Sequence, residues 1–146
     1  MKTIIKSLLI KNLSQLIVEV ESYPKNSDLW LTYGKINNSG GNLTLHLIGN
    51  LNHFIGATLG NTGYIRHREN EFNQKDIPIE DLVVSINETI EMVALTLDQL
   101  EEEIVEKDYP IDVFGEKIKT GDFLFYLTTH LSYHLGQINY HRRMIQ

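Results

Sequence analysis

Val83, Ile90, Leu97 and Ile104 recur every seven residues, and Ile86, Val93 and Leu100 recur three residues after them. Two interleaved apolar series at that spacing form an a/d seam, which a helix must bury along its length. The seam predicts a helix that opens around Asp76 to Pro78 and runs to Glu106, roughly 40 Å at 1.5 Å per residue. Pro78 suits its first turn, and Glu80 and Asp81 suit the positive end of its dipole. Such a helix needs partners of comparable length.

Three other stretches can supply them. From Thr3 to Val20, Ile5, Leu9, Leu13, Leu16, Ile17 and Val20 fall at three- and four-residue steps, and Tyr23-Pro24 stops the helix. A second helix is expected from about Leu43 to Leu59, with Ser39 or Asn42 as its N-cap and Gly60 or Gly63 closing it. The last is expected from Thr120, as N-cap, to about Arg143. The polar run Asn61 to Lys75 reads as loop, and Ile111 to Lys119 as a small hairpin or extended loop. The expected architecture is therefore all-α: one four-helix-bundle domain over residues 1–146, with long connections that leave the helix order open.

Composition narrows the function. With 146 residues and 42% hydrophobic side chains the chain can enclose one core. A net charge of −6 argues against nucleic-acid partners, which need clustered Lys and Arg. No run of about 18 apolar residues offers a membrane span. Lys6 and Lys11 interrupt the N-terminal apolar stretch, so it does not read as a signal peptide, and a cytoplasmic location is expected. Cysteine is absent, which removes disulfides, thiolate metal sites and cysteine nucleophiles.

Among six histidines, His130 and His134 stand out. Four residues apart on a helix, they lie about 6 Å apart along one face, where their nitrogens can converge on one ion. Phe123, Leu127 and Gln137 share that face, which is expected to point into the core. Two imidazoles alone do not close a site, and hydrogen bonds to a neighbouring helix would serve them equally well. A third ligand could come from His46 or His53, but these are about 10.5 Å apart along their helix, so at most one can join. His141 is expected at the bundle end beside Arg142 and Arg143, and His67 in solvent. Asn50 and His53 could position a water or a substrate. Arg66 and Arg68 could hold a substrate carboxylate, and Gln137 could bond a ligand histidine.

The run His130-Leu-Ser-Tyr-His134-Leu-Gly-Gln137-Ile resembles the last-helix motif of the DinB-like superfamily. Asn42-Leu-Thr-Leu-His46-Leu-Ile-Gly-Asn50 resembles its second-helix motif, and Arg66 to Phe72 a further segment of one branch. The resemblance covers most of the chain. It implies a homodimeric four-helix bundle holding one divalent metal ion, zinc or nickel, through His46, His130 and His134. It also implies a small-molecule substrate, with transfer involving a low-molecular-weight thiol among the reaction classes; the enzyme expected is a metal-dependent transferase or a hydrolase. Two alternatives stand beside that: a stress-related metal-binding bundle without catalysis, and a structural dimer whose histidines only pack.

Overall fold

The computed structural model describes residues 1–146, and its regular elements are all helical, with no strand. Helix α1 (Lys2–Glu21) buries Ile5, Leu9, Leu13, Leu16 and Val20 on one face. A single turn, α2 (Asn26–Leu29), interrupts the connection that follows. Helix α3 (Gly40–Leu51) starts at Ser39, whose Oγ accepts from the Asn42 amide at 3.1 Å. It widens into a π-helical stretch over Asn52–Ala57 and closes in the short α4 (Thr58–Gly60). Asn61, in the left-handed region at φ 49°, ends it, in place of either glycine expected there.

The π segment displaces donors from carbonyls, and side chains replace them. Thr58 Oγ1 donates to the His53 carbonyl at 3.0 Å, and Tyr109 Oη to that of Phe54 at 2.7 Å.

Two expectations need correction here. The segment after Asn61 is not all loop, because Arg68–Asn73 forms helix α5 against α3. Helix α6 (Ile79–Gln99) stops short of Glu106. Leu100 takes an extended conformation, and the chain re-forms as a 3₁₀ turn over Glu102–Glu106, so Ile104 is not on the seam. Within α6 the buried line runs through Leu82, Ile86, Thr89, Val93, Thr96 and Leu97, with Val83 and Ile90 half-buried beside it.

Residues 111–119 form a loop rather than a hairpin. One antiparallel bridge joins Asp108 to Lys119, and the Tyr109 amide donates to the Ile118 carbonyl at 2.8 Å. Helix α7 (Thr120–Met144) then begins with Lys119 at its cap and Thr120 already helical.

Cross-helix contacts fix the helix directions. Lys6 reaches Asp98 at 2.6 Å, so α1 and α6 are antiparallel. Asn12 reaches Ser132 at 2.7 Å, and Glu19 takes Arg142 Nε at 2.9 Å, so α1 and α7 are parallel. Phe54 packs on Phe123 while His46 meets His134, so α3 and α7 are antiparallel. Asn52 bonds Thr89, and Gly60 lies against Thr96, so α3 and α6 are parallel. In chain order the bundle runs up, down, down, up. Each of α1 and α3 packs between α6 and α7 around one apolar cluster. Because α3 and α6 point the same way, the chain between them must travel back along the bundle. That return segment carries Arg66, Glu71 and α5 past the outer side of α3.

Candidate metal centre

His46 projects from the middle of α3, and His130 and His134 from facing turns of α7. One nitrogen from each forms a group whose atoms all lie within 4.8 Å of one another, a set that could hold a metal ion. The three rings meet edge to face, with centroids 4.6 to 5.2 Å apart.

Hydrogen bonds assign the protons. Glu71 is ionised and can only accept, so His46 Nδ1–H donates to its Oε1 at 3.1 Å. That leaves His46 Nε2 with its lone pair aimed inward. Gln137 Oε1 accepts from His134 Nδ1–H at 2.7 Å, which frees His134 Nε2 in the same way. His46 Nε2 and His130 Nε2 face each other at 3.2 Å. Two nitrogens at 2.0–2.1 Å from a tetrahedral ion are separated by about 3.3 Å. The observed spacing therefore suits a shared ion, and without one it requires a proton between the two rings. The Nδ1 of His130 is buried and has no partner. All-nitrogen donor chemistry with outer hydrogen bonds on two of the three rings fits a divalent transition metal.

Glu71 is the residue that sequence reasoning missed. Its side chain is 7% exposed and takes a fork from Arg66, Nε to Oε2 and Nη2 to Oε1, both at 2.8 Å. Burial pushes the Glu71 carboxyl up, but the hydrogen bonds from His46 and Arg66 and the Arg66 charge outweigh it and hold the group below the usual carboxylate range. Gly49 makes room for this. A Cβ there would lie 2.6 Å from the Glu71 carboxyl carbon. Asn42 anchors α5 by donating to the carbonyls of Glu71 and Gln74 at 2.9 and 2.8 Å.

Burial and the neighbouring His134, His46 and Arg66 charges push the His130 imidazole down to about 4. Burial and His46 lower His134 despite the Gln137 hydrogen bond. These rings are therefore neutral near pH 7, the form that binds metal.

The other candidates separate. His53 lies outside the group, half-buried against Phe54, and burial with the Arg66 charge lowers its pKa. Asn50 lines the cleft, and its Oδ1 is buried without a partner. Arg66 is largely engaged by Glu71, whereas Arg68 is exposed at the cleft wall, over the Phe72 ring. His67 is exposed. His141 lies in the last turn of α7, beside Arg142 and Arg143, but it is not in solvent. It is 3% exposed, with Nδ1 2.6 Å from Tyr23 Oη and Nε2 2.7 Å from the Leu31 carbonyl. Nor do His130 and His134 sit wholly in the core. Both are half-buried beside exposed Gln137, on the wall of a cleft of about 400 Å³, while Leu124, Leu127, Leu131 and Ile138 face the core.

Residues 6–146 match a family described as Protein of unknown function (DUF1572). The chain belongs to that family. DUF1572 lies in the DinB/YfiT-like clan, in keeping with the resemblance drawn from the two histidine motifs. No curated protein and no solved structure matches the chain. In this DUF1572 chain no helix is long and apolar enough to cross a membrane.

Proposed function

We infer that this DUF1572 protein binds one divalent metal ion, zinc or nickel, through His46, His130 and His134. On this reading it acts as an enzyme on a small molecule in the cleft before them, with transfer involving a low-molecular-weight thiol as the reaction class. The observation that carries the metal reading is the Nε2–Nε2 approach of His46 and His130 at 3.2 Å. The open cleft in front of the histidines favours an exposed coordination position, the arrangement of a catalytic rather than a structural site. A divalent ion held there supplies Lewis acidity, lowering the pKa of a coordinated water or thiol.

The chain's own residues do the rest. Three neutral imidazoles bring no charge, and the Glu71 carboxylate is matched by Arg66, so the ligand set favours an anionic guest such as a thiolate. Glu71 and Gln137 hold two of the rings in the tautomer that presents Nε2. Arg68 offers a free guanidinium at the cleft wall for a substrate carboxylate. The chain has no cysteine, so the thiol comes with the substrate.

A homodimer is part of this reading. Tyr126, Tyr133 and Tyr140 recur every seven residues on α7 and are all exposed, which gives a second copy an aromatic stripe to meet. Trp30 is buried and Phe54 half-buried, so neither adds to that surface.

The test is a thiol-transfer screen on metal-loaded protein, pairing small electrophiles with low-molecular-weight thiols and using His130→Ala as control. Turnover that depends on the metal and vanishes in the variant is expected. Full metal occupancy with no metal-dependent turnover would favour the non-catalytic bundle.

A further inference from the structure

For a clustered histidine to offer Nε2 to a metal ion, its ring proton must sit on Nδ1. Two of the three such protons have acceptors, Glu71 for His46 and Gln137 for His134. The Nδ1 of His130 is buried with none. The same cleft contains a buried acceptor without a donor, Asn50 Oδ1, on a residue only 6% exposed.

The helices put these two orphans on one cleft at neighbouring levels. Asn50 stands one turn beyond His46 on α3. Antiparallel α7 passes it between Phe123, which meets Phe54, and His134, which meets His46. His130 is the ligand histidine within that interval. In this structure the two are not bonded to each other, and one proton placement disfavours that bond. When no ion lies between the rings, His130 Nε2–H can donate to His46 Nε2 at 3.2 Å. His130 Nδ1 then carries a lone pair, and a lone pair cannot bond the Asn50 oxygen. When both Nε2 atoms hold an ion, the proton must be on His130 Nδ1, where it needs an acceptor.

We propose that Asn50 is the positioning residue for the third ligand, its Oδ1 accepting the Nδ1–H of His130 when His46, His130 and His134 hold a metal ion. The inference rests on the metal reading above. It gives each ligand histidine its own outer acceptor: Glu71, Gln137 and Asn50. It also makes Asn50 a group that favours the loaded over the empty site, since its carbonyl is satisfied only in the loaded one.

The test uses the full chain and zinc alone. Asn50→Leu keeps the side-chain size and removes the acceptor, while Asn50→Asp keeps an acceptor. Zinc affinity is read by calorimetry, the metal-free thermal midpoint by circular dichroism, and the His130 tautomer by long-range ¹H–¹⁵N spectra of loaded protein. Asn50→Leu should bind zinc about tenfold or more weakly. Its metal-free midpoint should stay the same or rise, because a buried unpaired carbonyl has been removed. Asn50→Asp should restore affinity, and wild type should show a protonated His130 Nδ1 whose proton signal shifts in Asn50→Leu. Wild-type affinity in Asn50→Leu with unchanged His130 signals would overturn the proposal and leave Asn50 to serve a small-molecule N–H instead. A loss of affinity matched by an equal collapse of the metal-free protein would also overturn it. Failure of the wild type to take up zinc would sink the metal reading itself, an outcome distinct from the other two.

Discussion

At the scale of single residues, the centre depends on which buried groups are paired. Glu71 joins Arg66 to His46, so its removal strands a guanidinium that is itself largely buried. Glu71→Leu should destabilise the protein by roughly 3 kcal/mol in urea unfolding, as breaking one side of a buried pair does. A change below about 0.5 kcal/mol would show the pair to be solvated. Acid should act in one direction on the metal-free protein. Folded His130 stays neutral down to about 4, whereas an unfolded histidine takes up its proton near 6.5. Between those values the unfolded chain binds more protons, so stability is full above about 6.5 and falls as pH falls through the window. The lowered His134 and His53 add in the same sense. A denaturation midpoint that is flat or rising from pH 7 to 5 would contradict this. The histidine trio could be read in the sequence because two of its members share a helix face and the third sits in a recognisable run. Glu71 could not, since it lies 25 residues from the ring it orients and carries no periodic signal.

At the scale of elements, the prediction concerns how closely α5 rides on α3. Gly49 faces the Glu71 carboxylate with no space for a methyl group, so Gly49→Ala must displace that carboxylate from the position in which it bonds Arg66 and His46. The variant should lose about 1–3 kcal/mol of stability, and its metal affinity should fall with it. Unaltered affinity would mean that Glu71 does not orient His46. Periodicity located all four long helices, because each buries an apolar line. It overran α6, because Ile104 keeps the seven-residue step after Leu100 has left the helix. It missed α5, a six-residue polar helix held by Asn42 rather than by an apolar face of its own. The π-helical turn likewise had no sequence signature. Its freed carbonyls are answered by Thr58 and by Tyr109, the latter 55 residues away.

At the scale of the whole molecule, the up-down-down-up order is what assembles the centre. Parallel α3 and α6 force a return segment along the bundle, and that segment delivers Arg66 and Glu71 to the back of His46. The sequence indicated long connections but not their course, because helix direction is set by distant pairs such as Lys6–Asp98 and Asn12–Ser132. If the tyrosine stripe of α7 pairs two copies, light scattering at micromolar concentration should give about twice the 16.8 kDa of one chain. A monomer mass would count against the dimer and leave the metal centre untouched. The metal centre is decided by titrating zinc calorimetrically into untagged protein and into His130→Ala. One ion per chain is expected in the wild type, with strong loss of binding in the variant. No uptake by the wild type, or full affinity in His130→Ala, would contradict three-histidine ligation.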